Sequence, residues 1–101
     1  MIVFTDRVAV PAHVMVRFLD NESVFLNLET ERYFGLDSTG TRMWQVLTTT
    51  TNIEGAYQAL LGEFEVEPED LRTDLVELVN KLLENDLLQV VSFDVGTPSA
   101  I

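Results

Sequence analysis

Val14, Val16 and Phe18 alternate with His13, Met15 and Arg17. This period of two predicts a β-strand with one face toward a core. Val8 and Val10 show the same alternation ahead of Pro11. Asp20-Asn21 reads as a turn, and Ser23 to Leu28 as the next strand of a meander. Glu29-Thr30-Glu31-Arg32 predicts a tight turn into Tyr33-Phe34-Gly35-Leu36. A two-residue loop at Thr30-Glu31 would pair Glu29 with Arg32, Leu28 with Tyr33, Leu26 with Gly35 and Phe25 with Leu36.

From Asp37 the period changes. Asp37-Ser38 are N-cap residues, and Thr39 to Leu47 places Met43, Trp44, Val46 and Leu47 for a short helix. The run Thr48 to Thr51 ends it, since β-branched hydroxyl residues compete with helical bonding. Thr51-Asn52-Ile53-Glu54 has the form of a capping box, opening a second helix with Ile53, Ala56, Tyr57, Leu60 and Leu61 at helical spacing. Phe64 to Glu67 connects to a third helix that starts at Pro68, has Glu67, Glu69 and Asp70 around its positive end, and runs to about Glu84. Asn85-Asp86 stops it, and Leu87 to Val91 reads as a returning strand. Strands followed by three helices make an α+β domain over residues 1–91; residues 92–101 lack periodicity and read as a flexible tail.

On a helical wheel Leu71, Leu75, Leu78 and Leu82 fall within about 60° of one another. Val79, Leu83 and Val76 widen the apolar arc to about 160°, with Arg72 inside the extension, more than the ~100° stripe a surface helix needs. Either two neighbouring elements cover the surplus, or Val76, Val79 and Leu83 wall a groove beside the sheet with Arg72 at its rim. Asp70, Asp74, Glu77, Lys81 and Glu84 gather on the other side, as a solvated face would. The hairpin is apolar on both faces, with Leu26, Leu28 and Tyr33 on one and Phe25, Phe34 and Leu36 on the other. In a meander, Arg32 to Leu36 is an edge strand without proline, and its free N–H and C=O groups suit pairing with another chain.

Composition narrows the function. The 101 residues suit one domain, and 47% apolar content suffices for one core. The formal net charge is −11. Residues 1–50 carry six acids and four bases (−2), and residues 51–101 eleven acids and two bases (−9). That field repels phosphate backbones, so no nucleic-acid partner is expected. The absence of cysteine removes thiol chemistry and fits a cytoplasmic protein. No apolar run approaches the ~20 residues that cross a bilayer, so no membrane partner is expected. His13 is the sole histidine and has no nucleophile pattern around it. The acids Glu63 to Asp70 lack a calcium-loop pattern, no phosphate loop is present, and Trp44 reads as a core anchor. No enzyme activity, metal or cofactor is expected.

Arg7-Val8-Ala9-Val10-Pro11, Val24 to Thr30, Arg32-Tyr33-Phe34-Gly35-Leu36-Asp37 and Gly40-Thr41-Arg42-Met43-Trp44 occur in order. Glu67-Pro68 and a leucine-rich helix ending in Leu87-Leu88 follow them. In combination these segments resemble the PqqD-like family, the recognition elements for ribosomally made precursor peptides, and especially the stand-alone leader-binding subunits of lasso-peptide systems. Thr30-Glu31 stands where the family often has Thr-Gly. The resemblance implies a three-stranded antiparallel sheet followed by three helices, like a winged helix-turn-helix. It also implies a leader peptide added beside the third strand, at Arg32, Tyr33, Phe34, Gly35 and Leu36, and packed against Arg72, Leu75, Val76, Val79 and Leu83. Delivery to a processing enzyme such as a leader peptidase would follow. The alternative suggested by the winged-helix order is a nucleic-acid-binding regulator. On the groove reading, Val79→Asp should abolish peptide binding and leave the fold intact.

Overall fold

The chain runs β1 (Arg7–Ala9), β2 (Val14–Leu19), β3 (Glu22–Asn27), β4 (Arg32–Leu36), α1 (Ser38–Thr49), α2 (Ile53–Glu63), α3 (Pro68–Glu84) and β5 (Gln89–Val91). These elements come from a computed structural model that describes residues 2–91; the tail expected over residues 92–101 lies outside the described residues. β2, β3 and β4 form an antiparallel sheet in that order. The returning strand β5 pairs with β1 as a separate two-stranded sheet, Val8 opposite Val90. The result is the expected α+β order of a three-stranded sheet followed by three helices, with this small second sheet added.

The β3–β4 register differs from the sequence expectation by two residues. Asn27 pairs with Arg32, Phe25 with Phe34 and Ser23 with Leu36. The cause is Asn27. Its side-chain carbonyl accepts from the N–H groups of Glu29 (2.9 Å) and Thr30 (3.1 Å), and its main-chain carbonyl accepts from Glu31 at 2.7 Å. This local bonding opens a four-residue loop, Leu28 to Glu31, that ends with Glu31 at φ 62°. A slip of two keeps every side chain on its face, so Phe25, Phe34 and Leu36 still share the helix-facing side. Met15, Leu26 and Tyr33 form a row on the other. Asn27 also donates to the Asn85 carbonyl at 3.4 Å, at the end of α3. Asn27→Ala is expected to lower stability by about 1–3 kcal/mol, because the hydrogen bonds of the buried Asn27 side chain to Glu29, Thr30 and Asn85 are lost; the urea midpoint measures it.

The core lies between the inner sheet face and the helices. Phe25, Leu47, Ile53, Leu60, Leu75, Val79 and Leu82 are fully buried in it. Trp44 is the anchor the sequence indicates, edge-on to Phe25 with ring centres 5.2 Å apart. Ser23 and Thr41 share a buried hydroxyl bond of 2.7 Å that joins β3 to α1. Asp37 caps α1 by accepting from the Gly40 N–H at 2.8 Å. The hydroxyls of Thr48 and Thr50 bond back to Trp44 and Val46, which is how the threonine run closes the helix.

The cap of α2 is Asn52, which accepts from Gly55, and the expected box from Thr51 to Glu54 does not form. Glu54 instead accepts from Gln58 and faces Arg72 at 3.7 Å. Arg42 and Glu63 join α1 to the end of α2 through two hydrogen bonds of 2.6 and 2.9 Å, and the bonded guanidinium holds the Glu63 carboxyl below its ordinary range. α3 starts on Pro68 and ends in a reversal, with Asp86 at φ 60° and the N–H groups of Asp86 and Leu87 bonded to the carbonyls of Leu83 and Leu82. That turn aims Leu87 and Leu88 into the core.

Candidate functional site

Which main-chain groups of β4 are free follows from one hydrogen bond. The Leu28 N–H donates to the His13 carbonyl at 2.8 Å. Along an antiparallel strand, bonding groups alternate sides. The even-numbered residues of β3 therefore bond toward β2. Ser23, Phe25 and Asn27 bond toward their β4 partners Leu36, Phe34 and Arg32. The N–H and C=O of Tyr33 and Gly35 consequently point away from the sheet. Among the described residues no strand pairs there. The other edge, β2, is partly occupied, since the outward N–H of Val14 bonds to the Pro11 carbonyl at 3.1 Å.

Two hollows flank this edge, and α3 supplies their second wall. One, of about 270 Å³, lies at the Leu36 end, between Phe34, Gly35 and Leu36 on the strand and Asp74, Glu77, Leu78 and Lys81 on the helix. The other, of about 180 Å³, lies at the Arg32 end, where Arg32, Tyr33 and Phe34 face Glu84 to Leu87. Phe34 belongs to both, so they form one groove along the strand. Leu36 faces the earlier turns of α3 and Arg32 its last turn, so strand and helix run antiparallel. A strand of five residues spans about 17 Å, close to the ~15 Å of helix between Asp74 and Glu84. A larger open hollow of about 730 Å³, at the α2–α3 corner around Phe64, Val66 and Asp70, shares only Asp74 with the groove and has no strand edge.

The structure brings together Arg32, Tyr33, Phe34, Gly35 and Leu36, and places the helical residues of the sequence reading elsewhere. Leu75 and Val79 are fully buried in the core. Val76 and Leu83 are half-buried and line neither hollow. Arg72 stacks over the rings of Phe4 and Tyr57, at 4.2 and 4.8 Å. Arg72, within the surplus arc, is thus turned toward α2 and the N-terminal segment, where the Glu54 main-chain N–H also donates to the Phe4 carbonyl at 2.7 Å. The helical wall of the groove is Leu78, read from sequence with the apolar leucines, together with Asp74, Glu77 and Lys81, read as a solvated stripe. Leu78 sits on the wheel next to Asp74, and that adjacency was the available signal.

His13 reaches the Arg32 end through Asp86, one of its lining residues. Its Nε2 lies 3.1 Å from the Asp86 carbonyl and 3.4 Å from the Asp86 carboxylate, and its Nδ1 lies 4.0 Å from Glu29. The β3–β4 loop and the end of α3 are joined there. The groove offers an open main-chain edge, the apolar side chains Phe34 and Leu78, and a charged rim.

Known proteins share this fold. The family model described as Coenzyme PQQ synthesis protein D (PqqD) matches residues 22–88, more than half of the chain. Among solved structures, TbiB1 in complex with the TbiA(beta) leader peptide is 29% identical, with a TM-score of 0.76 over 84% of this chain and 99% of that one. Lasso peptide synthetase B1 complexed with the leader peptide is 26% identical, with a TM-score of 0.68 over 82% of this chain and 98% of that one. No curated protein matches the chain.

Proposed function

The chain belongs to the PqqD family, and from that premise we propose that it binds the leader segment of a ribosomally made precursor peptide, of the lasso type, as an added strand along β4. The observation that carries this reading is the outward-facing main chain of Tyr33 and Gly35 beside a groove walled by Leu78. Its likeness to proteins held with leader peptides supports the same occupant.

An entering strand would lie about 4.8 Å from β4 and bond to Tyr33 and Gly35. Its alternate side chains would point into the groove, the middle one between Phe34 and Leu78. Main-chain bonds set the register without reading sequence, and the groove supplies the selection. The leader orders as it binds, which offsets part of the contact energy. The chain itself makes and breaks no bonds in this role. It holds the leader extended in the cytoplasm and passes the precursor to a processing enzyme such as a leader peptidase. The nucleic-acid alternative is disfavoured by the charge of −11.

Isothermal titration with synthetic leader segments of lasso precursors tests the proposal. Saturable binding of one peptide per chain is expected for a cognate leader, with none for its core segment. Equal affinity for leader and core would overturn it.

A further inference from the structure

The groove is not evenly charged. Its Leu36 end is lined by Asp37, Asp74 and Glu77 against Lys81, three acids and one base. Its Arg32 end is lined by Glu84 and Asp86 against Arg32, two acids and one base. Asp74 and Glu77 are exposed, and neither forms an ion pair among the described residues. Between the two ends lies the apolar step of Phe34 and Leu78.

Resting on the strand-addition reading, we propose that the groove selects a peptide with an apolar side chain opposite Phe34 and a lysine or arginine two residues along, at the Leu36 end. Two residues is the spacing because only alternate side chains of a strand share a face. The residue opposite Phe34 and the one opposite Leu36 both point at α3. The stem of a long basic side chain would lie on Leu36 and Leu78, and its head would reach Asp74 and Glu77. The Arg32 end has one acid fewer and carries a guanidinium that repels a basic guest, so it gives such a side chain the weaker hold. A base on one side of the anchor therefore fixes which way the guest strand runs, which ladder bonds alone leave open.

Selection from a displayed library of random twelve-residue peptides tests this, with the full chain as bait and Gly35→Pro as a parallel bait. Peptides enriched on the parent and lost on Gly35→Pro are expected to carry apolar-x-basic, or its reverse, as their shared pattern. The double variant Asp74→Lys/Glu77→Lys changes only exposed residues. It is expected to bind the winning peptide about five- to tenfold more weakly, and to bind better the peptide whose base is replaced by glutamate. Strand-dependent peptides with no basic preference, or affinity untouched by the double variant, would overturn the charge inference and leave the groove reading in place. Enriched peptides indifferent to Gly35→Pro would overturn both.

Discussion

Gly35→Pro is expected to fold like the parent and to lose at least about tenfold in leader affinity. Proline removes an N–H and fixes φ near −65°, which ordinarily excludes it from a sheet interior. At Gly35 the missing N–H is the one that points away from β3, so the β3–β4 ladder keeps all its bonds. A Cβ placed there meets only the Ser23 carbonyl, at 3.8 Å, an ordinary contact. Phe34 is already extended, as a residue before proline must be. The guest loses more. One donor of its ladder disappears, and the proline ring stands where its carbonyl would approach. Gly35→Ala keeps the donor and serves as the control, with affinity near that of the parent. Thermal unfolding and titration on the same samples separate the two effects. A folded Gly35→Pro protein that binds as tightly as the parent would place the peptide elsewhere.

Val79→Asp has the other large effect, and it falls on folding. The sequence reading places Val79 on a groove wall, where a carboxylate would block a peptide and spare the fold. In the structure Val79 is fully buried, packed with Leu75 and Leu82 in the core. An unpaired carboxylate there costs several kcal/mol beyond the ~1.5–3 kcal/mol of lost apolar burial. Small domains have only about 5–15 kcal/mol of stability in total. The variant is expected to lose its cooperative melt in far-ultraviolet circular dichroism, leader or no leader. A native melt would mean that this face of α3 is not the core face.

The difference between those two predictions marks what the sequence shows and what it withholds. The strands were legible because their period of two survives any register, and the pairing slipped by an even number. The slip itself turned on the Asn27 side chain bonding its own loop, a local competition that hydrophobic spacing does not record. The edge position of β4 and the five residues on it followed from the meander. The orientation of α3 did not. A wheel gives the width of an apolar arc and not which neighbour covers each flank. The cover for Arg72 and its neighbours comes partly from Phe4, in a segment without periodicity, and from Tyr57 on α2. The charged stripe then faces the groove, and its acids read as mere solubility until Leu78 and Phe34 are seen across from each other.

Amide hydrogen exchange at Tyr33, Phe34 and Gly35, followed by NMR with and without leader peptide, reports whether a guest strand pairs with β4. The Phe34 amide is bonded to Phe25 in either state and should change little. The amides of Tyr33 and Gly35 should exchange fast in the free chain and slow at least about tenfold at saturation. Slow exchange at both without peptide, or no slowing at saturation, would contradict strand addition at β4.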